Sequence, residues 1–393
     1  MATRLDLATE AEDPAPRIDF DNNDFATAVA FSPLGNQLFF VTNGSATIWS
    51  VDAYGTGNSF TFSSGGLAPD GLALSDSGDR LYVHNFLSRS VTVFDTSAVC
   101  SAICGTAPQV AEVATVATEQ LAPDVLLGKK LFYDSSDPRL SLESYMSCAS
   151  CHLDGGHDGR TWDFTGLGEG LRNTIDLNGR GSGHGPVHWT ANFDEIHDFE
   201  GHIRSLAGGS GLMADADFNY STRSVSLGLA KAGVSSDLDA LAAYLGSLTT
   251  TGASPHRQGD GSLTPEALLG REIFRQMDCA SCHQGTAFSD SATLVRHDVG
   301  TQTSDSGQRL GSPLDGLDTP TLRGLWASAP YLHDGSAATL HDVLTTRNIA
   351  GRHGNLFALS STELAQLEAY LLQIDDSEIF APDNGPNQAP TLS

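Results

Sequence analysis

Positive charge is scarce in this sequence. Its 393 residues include 21 lysines and arginines against 48 aspartates and glutamates, which gives a formal net charge of −27 at pH 7. Lysine is the rarer of the two basic residues, with Lys129, Lys130 and Lys231 as its three occurrences. Such a surface repels nucleic acid and anionic lipid, so we expect neither as a partner. It suits a protein that meets a redox partner through a basic patch on that partner.

Long apolar runs are missing as well. A membrane-spanning helix needs about 18 or more consecutive apolar residues, and no stretch of the sequence approaches that length. The N-terminal segment MATRLDLATEAEDPAP also lacks the apolar core of a secretory signal peptide. We therefore expect no membrane span and no signal peptide in these residues.

Cysteine is sparse, and its distribution is uneven. Four of the six cysteines lie in two copies of the pentapeptide CASCH, at residues 148–152 and 279–283. The other two, Cys100 and Cys104 in VCSAICG, could close a small disulfide loop in an oxidising compartment or remain free thiols. The sequence leaves both possibilities open for this pair.

An internal duplication lies near the N-terminus. FSPLGNQLFF and LSDSGDRLYV align at a constant offset of 43 residues, as do IWSVD and VTVFD. Apolar and polar residues alternate between turn residues, which predicts short antiparallel strands, and an all-β repeat of this length is typical of propeller blades. Residues 20–98 resemble two blades of the YVTN type, whereas a closed propeller takes about four to eight. We expect a truncated propeller, with a small β-meander as the alternative.

A second duplication occupies most of the remaining chain. LAPDVLLGKKLF matches LTPEALLGREIF at an offset of 142 residues, and each copy is followed by CASCH. Each half then closes with a similar amphipathic helix, SDLDALAAYLGSL or TELAQLEAYLLQI. The pattern predicts two copies of one α-helical module, at residues 120–250 and 262–376, followed by a linker-like tail at residues 377–393.

The CASCH pentapeptide is an instance of C-x-x-C-H, the attachment signal of c-type haem. Its two thiols bind the haem covalently, and its histidine is placed to ligate the iron. A zinc site would need four nearby ligands, and neither half offers a second cysteine pair; a redox-active C-x-x-C does not need the histidine. We therefore expect two covalently bound haem c groups. The attaching cysteines would be Cys148, Cys151, Cys279 and Cys282, and the iron ligands His152 and His283.

Together these patterns predict a mainly α fold. It would consist of two duplicated class I cytochrome c-like helical domains, preceded by a short all-β segment.

Residues 120–376 resemble the bacterial di-haem cytochrome c peroxidase family, and most closely its MauG-like and MbnH-like branch. The resemblance is carried by LRNT (171–174), VHWTANFDEIHDFEGHIR (187–204) and TPTLRGLWASAPYLHDGSAATLHDV (319–343). It implies that the first haem reacts with peroxide and that the second stores or relays an electron. It also implies a tryptophan between the two haems and a calcium ion where the domains meet.

The resemblance assigns roles to individual residues. Trp189 matches the bridging tryptophan, although without the resemblance it would be interpreted as a core residue. Asn173 and the backbone carbonyls of Ser328 and Pro330 match the calcium ligands. His333 matches a histidine near the second haem, in a structural or hydrogen-bonding role.

Two departures from the family concern the first haem. Some family members carry a histidine that blocks this haem, but the corresponding loop TWDFTGLGEG (161–170) contains none, so we expect an open first haem. The family's distal glutamate precedes a methionine, whereas Leu212 precedes Met213 here. The acid/base group must then come from elsewhere, and each candidate could also be an ordinary helix residue. The candidates, in order, are Glu200, Glu195 and His197.

A third departure concerns the second haem. The methionine or tyrosine that ligates its iron in the family corresponds to Arg347, which cannot bind iron. The nearby segment NIAGRHGN offers His353, so we expect a second haem ligated by His283 and His353. His341 is the alternative ligand.

The sequence therefore predicts a di-haem peroxidase that reduces hydrogen peroxide in the periplasm or outside the cell. Electrons would come from a small redox protein, or from aromatic side chains of a protein substrate. Because no signal peptide is present, we expect these residues to be a fragment of a longer protein. The alternative is a non-enzymatic di-haem electron-transfer protein, which would need a sixth ligand on both irons.

Overall fold

The computed structural model describes residues 2–54, 59–99, 107–180, 185–378 and 380. The cysteine pair of VCSAICG and the tail beyond residue 380 lie outside the described residues, so the predicted disulfide and linker stay predictions. In the described part of the chain, no helix is both long and apolar enough to cross a membrane.

The chain forms two compact units. The first comprises Met1–Ser150, Phe199–Tyr220 and Lys231–Tyr244, and the second comprises Cys151–Asp198, Ser221–Ala230 and Leu245–Ser393. Residues 120–250 contribute to both units, so the predicted module boundaries stay a prediction.

The N-terminal part of the first unit is built from antiparallel strands. A hairpin of β1 (Ala2–Asp6) and β2 (Ala11–Ile18) precedes two four-stranded sheets, in which consecutive strands are hydrogen-bonded neighbours. The strands of the first sheet are β3 (Ala26–Phe31), β4 (Gln37–Thr42), β5 (Thr47–Asp52) and β6 (Phe60–Ser63). Those of the second are β7 (Pro69–Leu74), β8 (Arg80–Asn85), β9 (Ser90–Asp95) and β10 (Gln109–Ala114).

The two sheets repeat one pairing register. Phe31 of β3 pairs with Leu38 of β4, and Leu74 of β7 pairs with Leu81 of β8, so the sequence offset of 43 residues is also the offset of the ladders. Both sheets place their central strands in one shared core. This core contains Phe39, Val41, Ile48, Leu81, Val83 and Phe94. The arrangement is compatible with two propeller blades, which stays a prediction.

The rest of the chain consists of short helices joined by long irregular segments. The α-helices are α1 (Pro123–Tyr133), α2 (Phe199–Ser205), α3 (Asp215–Phe218), α4 (Ser236–Ser247), α5 (Pro265–Gln276), α6 (Leu340–Leu344) and α7 (Ser361–Leu371). Two small sheets pair β11 (Thr161–Asp163) with β12 (Leu171–Asn173), and β13 (Gln308–Arg309) with β14 (Ser312–Pro313). Single turns of 3₁₀-helix lie at Cys148–Ser150, Leu153–Gly155, Thr165–Leu167, Ile196–Asp198, Cys279–Ser281, Ser291–Thr293, Ser304–Ser306 and Leu325–Ala327.

The duplicated helices cross in the same way in each unit. In the first unit, a Cβ added to Gly128 of α1 would collide with the carbonyl of Ala240 in α4. In the second, a Cβ added to Gly270 of α5 would collide with the carbonyl of Gln366 in α7. A glycine at this point lets the two helix backbones approach closely. Gly128 and Gly270 occupy equivalent positions in LLGKKLF and LLGREIF, so the sequence repeat encodes a repeated helix crossing.

An aromatic pair accompanies each crossing. The rings of Phe132 and Tyr244 meet edge to face at 5.1 Å, and those of Phe274 and Tyr370 do so at 5.4 Å. Edge-to-face contacts at this distance add to the free energy gained from burial of the rings. The paired terminal helices of the expected cytochrome c-like modules are therefore present in both copies.

The prediction of a mainly α fold is wrong. The chain is 24% helical and 21% strand, because the N-terminal region holds several sheets. Most residues of the two helical modules lie in loops and single turns, because the helices in these modules are short. The cytochrome c-like part fits the prediction, while the chain as a whole is mixed.

Candidate haem sites

The predicted iron ligand of the first CASCH motif is His152. Its Nδ1 lies 3.1 Å from the carbonyl oxygen of Gly156, so the proton is held on Nδ1 and Nε2 is left to bind metal. Although part of the side chain is exposed, burial of the ring lowers the pKa of His152 to about 4. The imidazole is therefore neutral at pH 7, which is the form that ligates iron.

The second motif repeats this arrangement. The Nδ1 of His283 lies 3.1 Å from the carbonyl oxygen of Phe288. Burial lowers the pKa of His283 to about 4, and the nearby His353 acts in the same direction. Both motif histidines thus have the tautomer and the charge that haem ligation needs.

A cavity of about 470 Å³ lies within the second unit, beside the second motif. Its lining includes Cys279, Cys282 and His283 of the motif, together with Trp189 and His353. Apolar side chains also line it, including Phe274, Leu322, Leu325, Leu344, Leu367 and Leu371. The volume falls in the range of cofactor pockets, about 300–1,000 Å³, and an apolar wall with few polar groups suits a porphyrin.

His283 and His353 face each other in this cavity. Their ring centroids are 6.3 Å apart. Two imidazoles that share one metal ion, each with a bond of about 2 Å, have ring centres about 6 Å apart. The residues present therefore fit a haem iron held between these two histidines.

The loop that carries His353 is tied down by its own side chains. The amide of Asn348 donates to the carbonyls of His353 and Gly354, at 3.2 and 2.8 Å, and its oxygen accepts from the backbone N–H of His353 at 3.0 Å. Arg352 forms an ion pair with Asp298 at 2.7 Å. Burial lowers the pKa of His353, so its ring is neutral as well.

The other residues considered for this iron lie elsewhere. His341 has an exposed side chain, with its Nδ1 2.8 Å from the carboxylate of Glu368. The guanidinium of Arg347 donates to the carbonyl of Ser336 at 2.8 Å. Among the described residues that line the cavity, neither His341 nor Arg347 is present.

Trp189 and the predicted calcium ligands lie together in the second unit. The indole N–H of Trp189 donates to the backbone carbonyl of Asn173 at 2.9 Å. The side-chain amide of Asn173 lies 2.5 Å from the carbonyl oxygen of Pro330, while its Oδ1 is buried without a hydrogen-bond partner. Ser328 and Pro330 line the same cavity as Trp189. If the amide is turned over, Oδ1 and the Pro330 carbonyl form the beginning of an oxygen site for a hard cation.

His333 is buried beside these residues. Its Nε2 lies 2.8 Å from the hydroxyl of Ser306, and its carbonyl accepts from the backbone N–H of Asn173 at 2.6 Å. These contacts hold β12 against the segment around Pro330.

Two charged residues that line this cavity, Arg180 and Asp318, were missed by the sequence reasoning. Burial lowers the pKa of Arg180 to about 10 and raises the pKa of Asp318 to about 6. Asp318 accepts from the hydroxyl of Ser291 at 2.7 Å, and its backbone N–H donates to the Trp189 carbonyl at 2.8 Å. An arginine in the lining of this cavity can bind the carboxylates of a haem.

Glu200, the first acid/base candidate, belongs to the first unit and is fully buried. Its Oε1 accepts from Arg204 Nε at 2.8 Å and from the Met213 backbone at 3.1 Å, and its Oε2 accepts from the Leu212 backbone at 2.9 Å. Both oxygens are thus engaged by donors that stabilise the carboxylate. These contacts favour a structural role, in which Glu200 holds the Leu212–Met213 segment against α2.

The other two candidates form a pair in the second unit. The Nδ1 of His197 lies 3.5 Å from the carboxylate of Glu195, and His197 is buried. A carboxylate beside an imidazole is a combination that can act in acid/base chemistry, so Glu195 and His197 remain candidates.

A further histidine and carboxylate pair was missed by the sequence reasoning. The Nδ1 of His188 lies 2.8 Å from Asn192 Oδ1 and 3.4 Å from the buried carboxylate of Glu169, which also accepts from the Asn192 amide at 2.7 Å. His188 adopts φ 69°, which an L-residue rarely does without a structural or functional reason. Burial lowers the pKa of His152, and His188 acts in the same direction as a smaller electrostatic contribution.

The fold and the two motifs define a c-type cytochrome with two haem-attachment sites. A sequence profile described as di-haem cytochrome c peroxidase matches residues 122–207, and one described as RoxA-like, cytochrome c-like matches residues 316–350. The chain is 31% identical over 282 residues to hydrazine synthase subunit gamma of Kuenenia stuttgartiensis, with 61% of this chain and 75% of that protein covered. The chain belongs to the di-haem cytochrome c peroxidase family.

Two further similarities were found. Cytochrome c551 peroxidase of Nitrosomonas europaea is 26% identical over 250 residues, which cover 56% of this chain and 71% of that protein. The crystal structure of a MauG-like protein associated with microbial copper homeostasis is 23% identical, covers 66% of this chain and 90% of its own, and has a TM-score of 0.44. The chain is an oxidoreductase of the haem peroxidase type, and its family implies two haem c groups.

Proposed function

We propose that the protein reduces hydrogen peroxide to water at the haem of the first motif, and that the haem of the second motif relays electrons. The overall reaction takes one hydrogen peroxide, two electrons and two protons to two waters. Haem iron with one open axial position supplies the redox chemistry toward peroxide. Cys148, Cys151 and His152 would hold the first haem, and Cys279, Cys282, His283 and His353 the second.

One observation carries this division of roles. The rings of His283 and His353 are 6.3 Å apart across a cavity, which supports two protein ligands on the second iron and makes that iron a poor site for peroxide. The loop of residues 161–170, where some relatives carry a blocking histidine, contains no histidine in this chain. The two CASCH motifs would therefore serve different purposes despite their identical sequences.

For proton transfer we propose His188 in place of Glu200. Asn192 and Glu169 surround the Nδ1 of His188, so the proton stays there and Nε2 is the basic nitrogen. A histidine oriented through its other nitrogen can take a proton from one peroxide oxygen and return it to the other. Glu200 is unsuited to this task, because all three of its hydrogen bonds would have to be rearranged.

We expect His188→Gln to lower peroxide turnover at least about 100-fold, the usual contribution of a general acid/base. His84→Gln is the control, because His84 is a half-exposed surface histidine paired with Asp70. The measurement is the steady-state rate of peroxide reduction with a reduced dye as donor, together with haem content. Unchanged turnover in His188→Gln, with a large loss in His197→Gln, would instead assign the proton transfer to the Glu195–His197 pair.

We further propose that Trp189 carries the electron between the haems and that calcium keeps it in place. The carbonyl that accepts from the Trp189 indole belongs to Asn173, whose side chain would share the ion with the carbonyls of Ser328 and Pro330. The buried Asn173 Oδ1 without a partner supports this assignment. Loss of the ion would free the segment on which the indole depends.

Removal of calcium with a chelator is therefore expected to lower peroxide turnover, and added calcium should restore it. Asn173→Ala should have low turnover that calcium does not restore, whereas Asn219→Ala, at an exposed position just after α3, should behave like the unmodified protein. Metal analysis provides the direct measurement. Absence of calcium from the purified protein, with activity indifferent to chelator, contradicts the proposal.

The net charge of the protein and its sequence similarities support a proposal for the electron source. The net charge of −27 favours a small redox protein with a basic docking face, and similarity to MauG proteins supports aromatic residues of a protein substrate as a second source. We place the protein in the periplasm or outside the cell, where it would meet such partners.

A further inference from the structure

The two CASCH motifs have the same sequence but different surroundings. In the second copy, Ser281 is exposed, and its hydroxyl donates to the backbone carbonyl of Asp278 in the same turn, at 2.7 Å. In the first copy, Ser150 is partly buried, and its hydroxyl donates to the carboxylate of Asp24 at 2.6 Å. The second motif satisfies its serine locally, whereas the first takes its acceptor from a residue 126 positions away.

Asp24 belongs to the segment that forms β1 to β10, here called the β-region, and lies just before β3. It is buried, with 5% of its surface exposed. Besides Ser150, it accepts from the backbone N–H of Phe25 at 2.8 Å. Ser150 in turn accepts from the backbone N–H of Ser147 at 2.9 Å, so one chain of hydrogen bonds joins Asp24 to the start of the motif. Burial raises the pKa of the Cys148 thiol to about 11, and the negative charge of Asp24 acts in the same direction.

The β-region is packed so that Asp24 has little freedom. The turn between β4 and β5 lies against it, and a Cβ on Gly44 would collide with both the Asp24 carboxylate and the Tyr133 carbonyl. The carbonyl of Gly44 accepts from the backbone N–H of buried Ser135 at 2.9 Å. Beside this contact the ammonium of Lys129 lies 4.5 Å from the ring centre of Phe86. Strand residues and the α1 segment therefore hold the carboxylate at the motif.

We propose that Asp24 is a positioning residue of the first haem site, supplied by the N-terminal sheets. It fixes the turn Cys148–Ser150 through Ser150, and its buried negative charge lowers the reduction potential of the haem attached there. The proposal requires only that the first motif carry a haem. It does not depend on which haem reacts with peroxide.

The direction of the effect follows from electrostatics. Oxidation adds one positive charge to the iron, and a carboxylate in a poorly solvated site stabilises that charge more strongly than one in water. The first motif has Ser147 where the second has Asp278, so the second copy carries a carboxylate within its own turn. The first copy receives its carboxylate from the β-region, which gives those sheets a part in the redox chemistry.

The test measures both haem potentials by spectroelectrochemical titration of the full di-haem protein at pH 8, without peroxide. Asp24→Asn keeps the shape of the side chain and removes its charge, so one potential should move to a more positive value while the other stays. Ser150→Ala should give a smaller shift of the same sign, because the hydrogen bond that favours the charged carboxylate is lost. Asp76→Asn, which removes an exposed carboxylate of the same β-region, is the matched control and should move neither potential.

Haem content, determined for each variant, shows whether both motifs are loaded. Potentials of Asp24→Asn and Ser150→Ala that match the unmodified protein overturn the proposal, and so does an equal shift in Asp76→Asn. If Asp24→Asn fails to hold the first haem, the Ser150→Ala variant decides. A Ser150→Ala protein that holds both haems, with both reduction potentials unchanged, also overturns the proposal. A failure of the peroxidase assignment would not alter the shifts expected for Asp24→Asn and Ser150→Ala, and would show only in peroxide turnover.

Discussion

Replacement of Cys148 and Cys151 by alanine is expected to leave a protein that holds one haem and no longer turns over peroxide. The two thiols are the predicted covalent anchors of the first haem, and without them His152 alone would have to retain it. The same change at Cys279 and Cys282 should also remove one haem, yet leave a site that reacts with peroxide. The pair of variants thus separates the two motifs, which no single-site change in the loops can do.

The measurement combines haem quantification with the spectral response to one equivalent of peroxide. Loss of steady-state turnover is expected in both variants, since the second haem relays electrons, but only the first variant should lose the rapid spectral change. If the Cys148→Ala, Cys151→Ala variant still reacted rapidly with peroxide and its counterpart did not, the roles of the two motifs would be reversed.

The second large effect is expected from His353→Ala. With His283 and His353 as its two protein ligands, the second haem would be low-spin and closed to peroxide. Removal of the His353 imidazole would leave that iron high-spin or bound to water, and its reduction potential would shift because a strong nitrogen ligand is gone. The loop should persist, because Asn348 holds it through backbone groups that the substitution does not alter.

His341→Ala is the matched control for this change. Its side chain is exposed, pairs with Glu368 and is not among the described residues that line the cavity. Electron paramagnetic resonance of the ferric proteins should show that the low-spin signal is lost in His353→Ala and retained in His341→Ala. A low-spin signal that survives in His353→Ala would remove His353 from the iron.

Repeats and covalent motifs were the most predictable features of this chain. The offset of 43 residues reappears in the pairing of Phe31 with Leu38 and of Leu74 with Leu81, because alternation of apolar residues determines which faces of the strands are buried. The offset of 142 residues reappears as the crossings at Gly128 and Gly270. In each case the signal is local, and the structure repeats it.

The prediction of a mainly α fold was wrong because local sequence patterns do not show how much of the chain lies in loops. Amphipathic helices at both ends of each module suggest a helical domain, but between them the chain winds around the cofactor sites in turns and loops. Such loops have no periodicity, so their share of the structure cannot be read from the positions of the helices. The β-region, with β1 to β10, then contributes almost as many residues as the helices do.

The candidate site residues also differ in whether local sequence could reveal them. His353 could be inferred because Arg347 cannot ligate iron and few other ligands were near in sequence. His188 and Glu169 could not, since their meeting requires an unusual backbone conformation at His188 and a shared partner in Asn192. The only signal in the sequence was that His188 precedes Trp189. Asp24 and Ser150 are farther apart still, and only tertiary packing brings them together.

The central claim is that two identical haem motifs have unequal irons, one open and one closed. The electron paramagnetic resonance spectrum of the purified ferric protein, before and after one equivalent of hydrogen peroxide, tests it most directly. We expect one high-spin and one low-spin signal of equal intensity, with prompt loss of the high-spin signal on addition of peroxide. Two low-spin signals that peroxide leaves unchanged would contradict the account and identify the protein as an electron carrier.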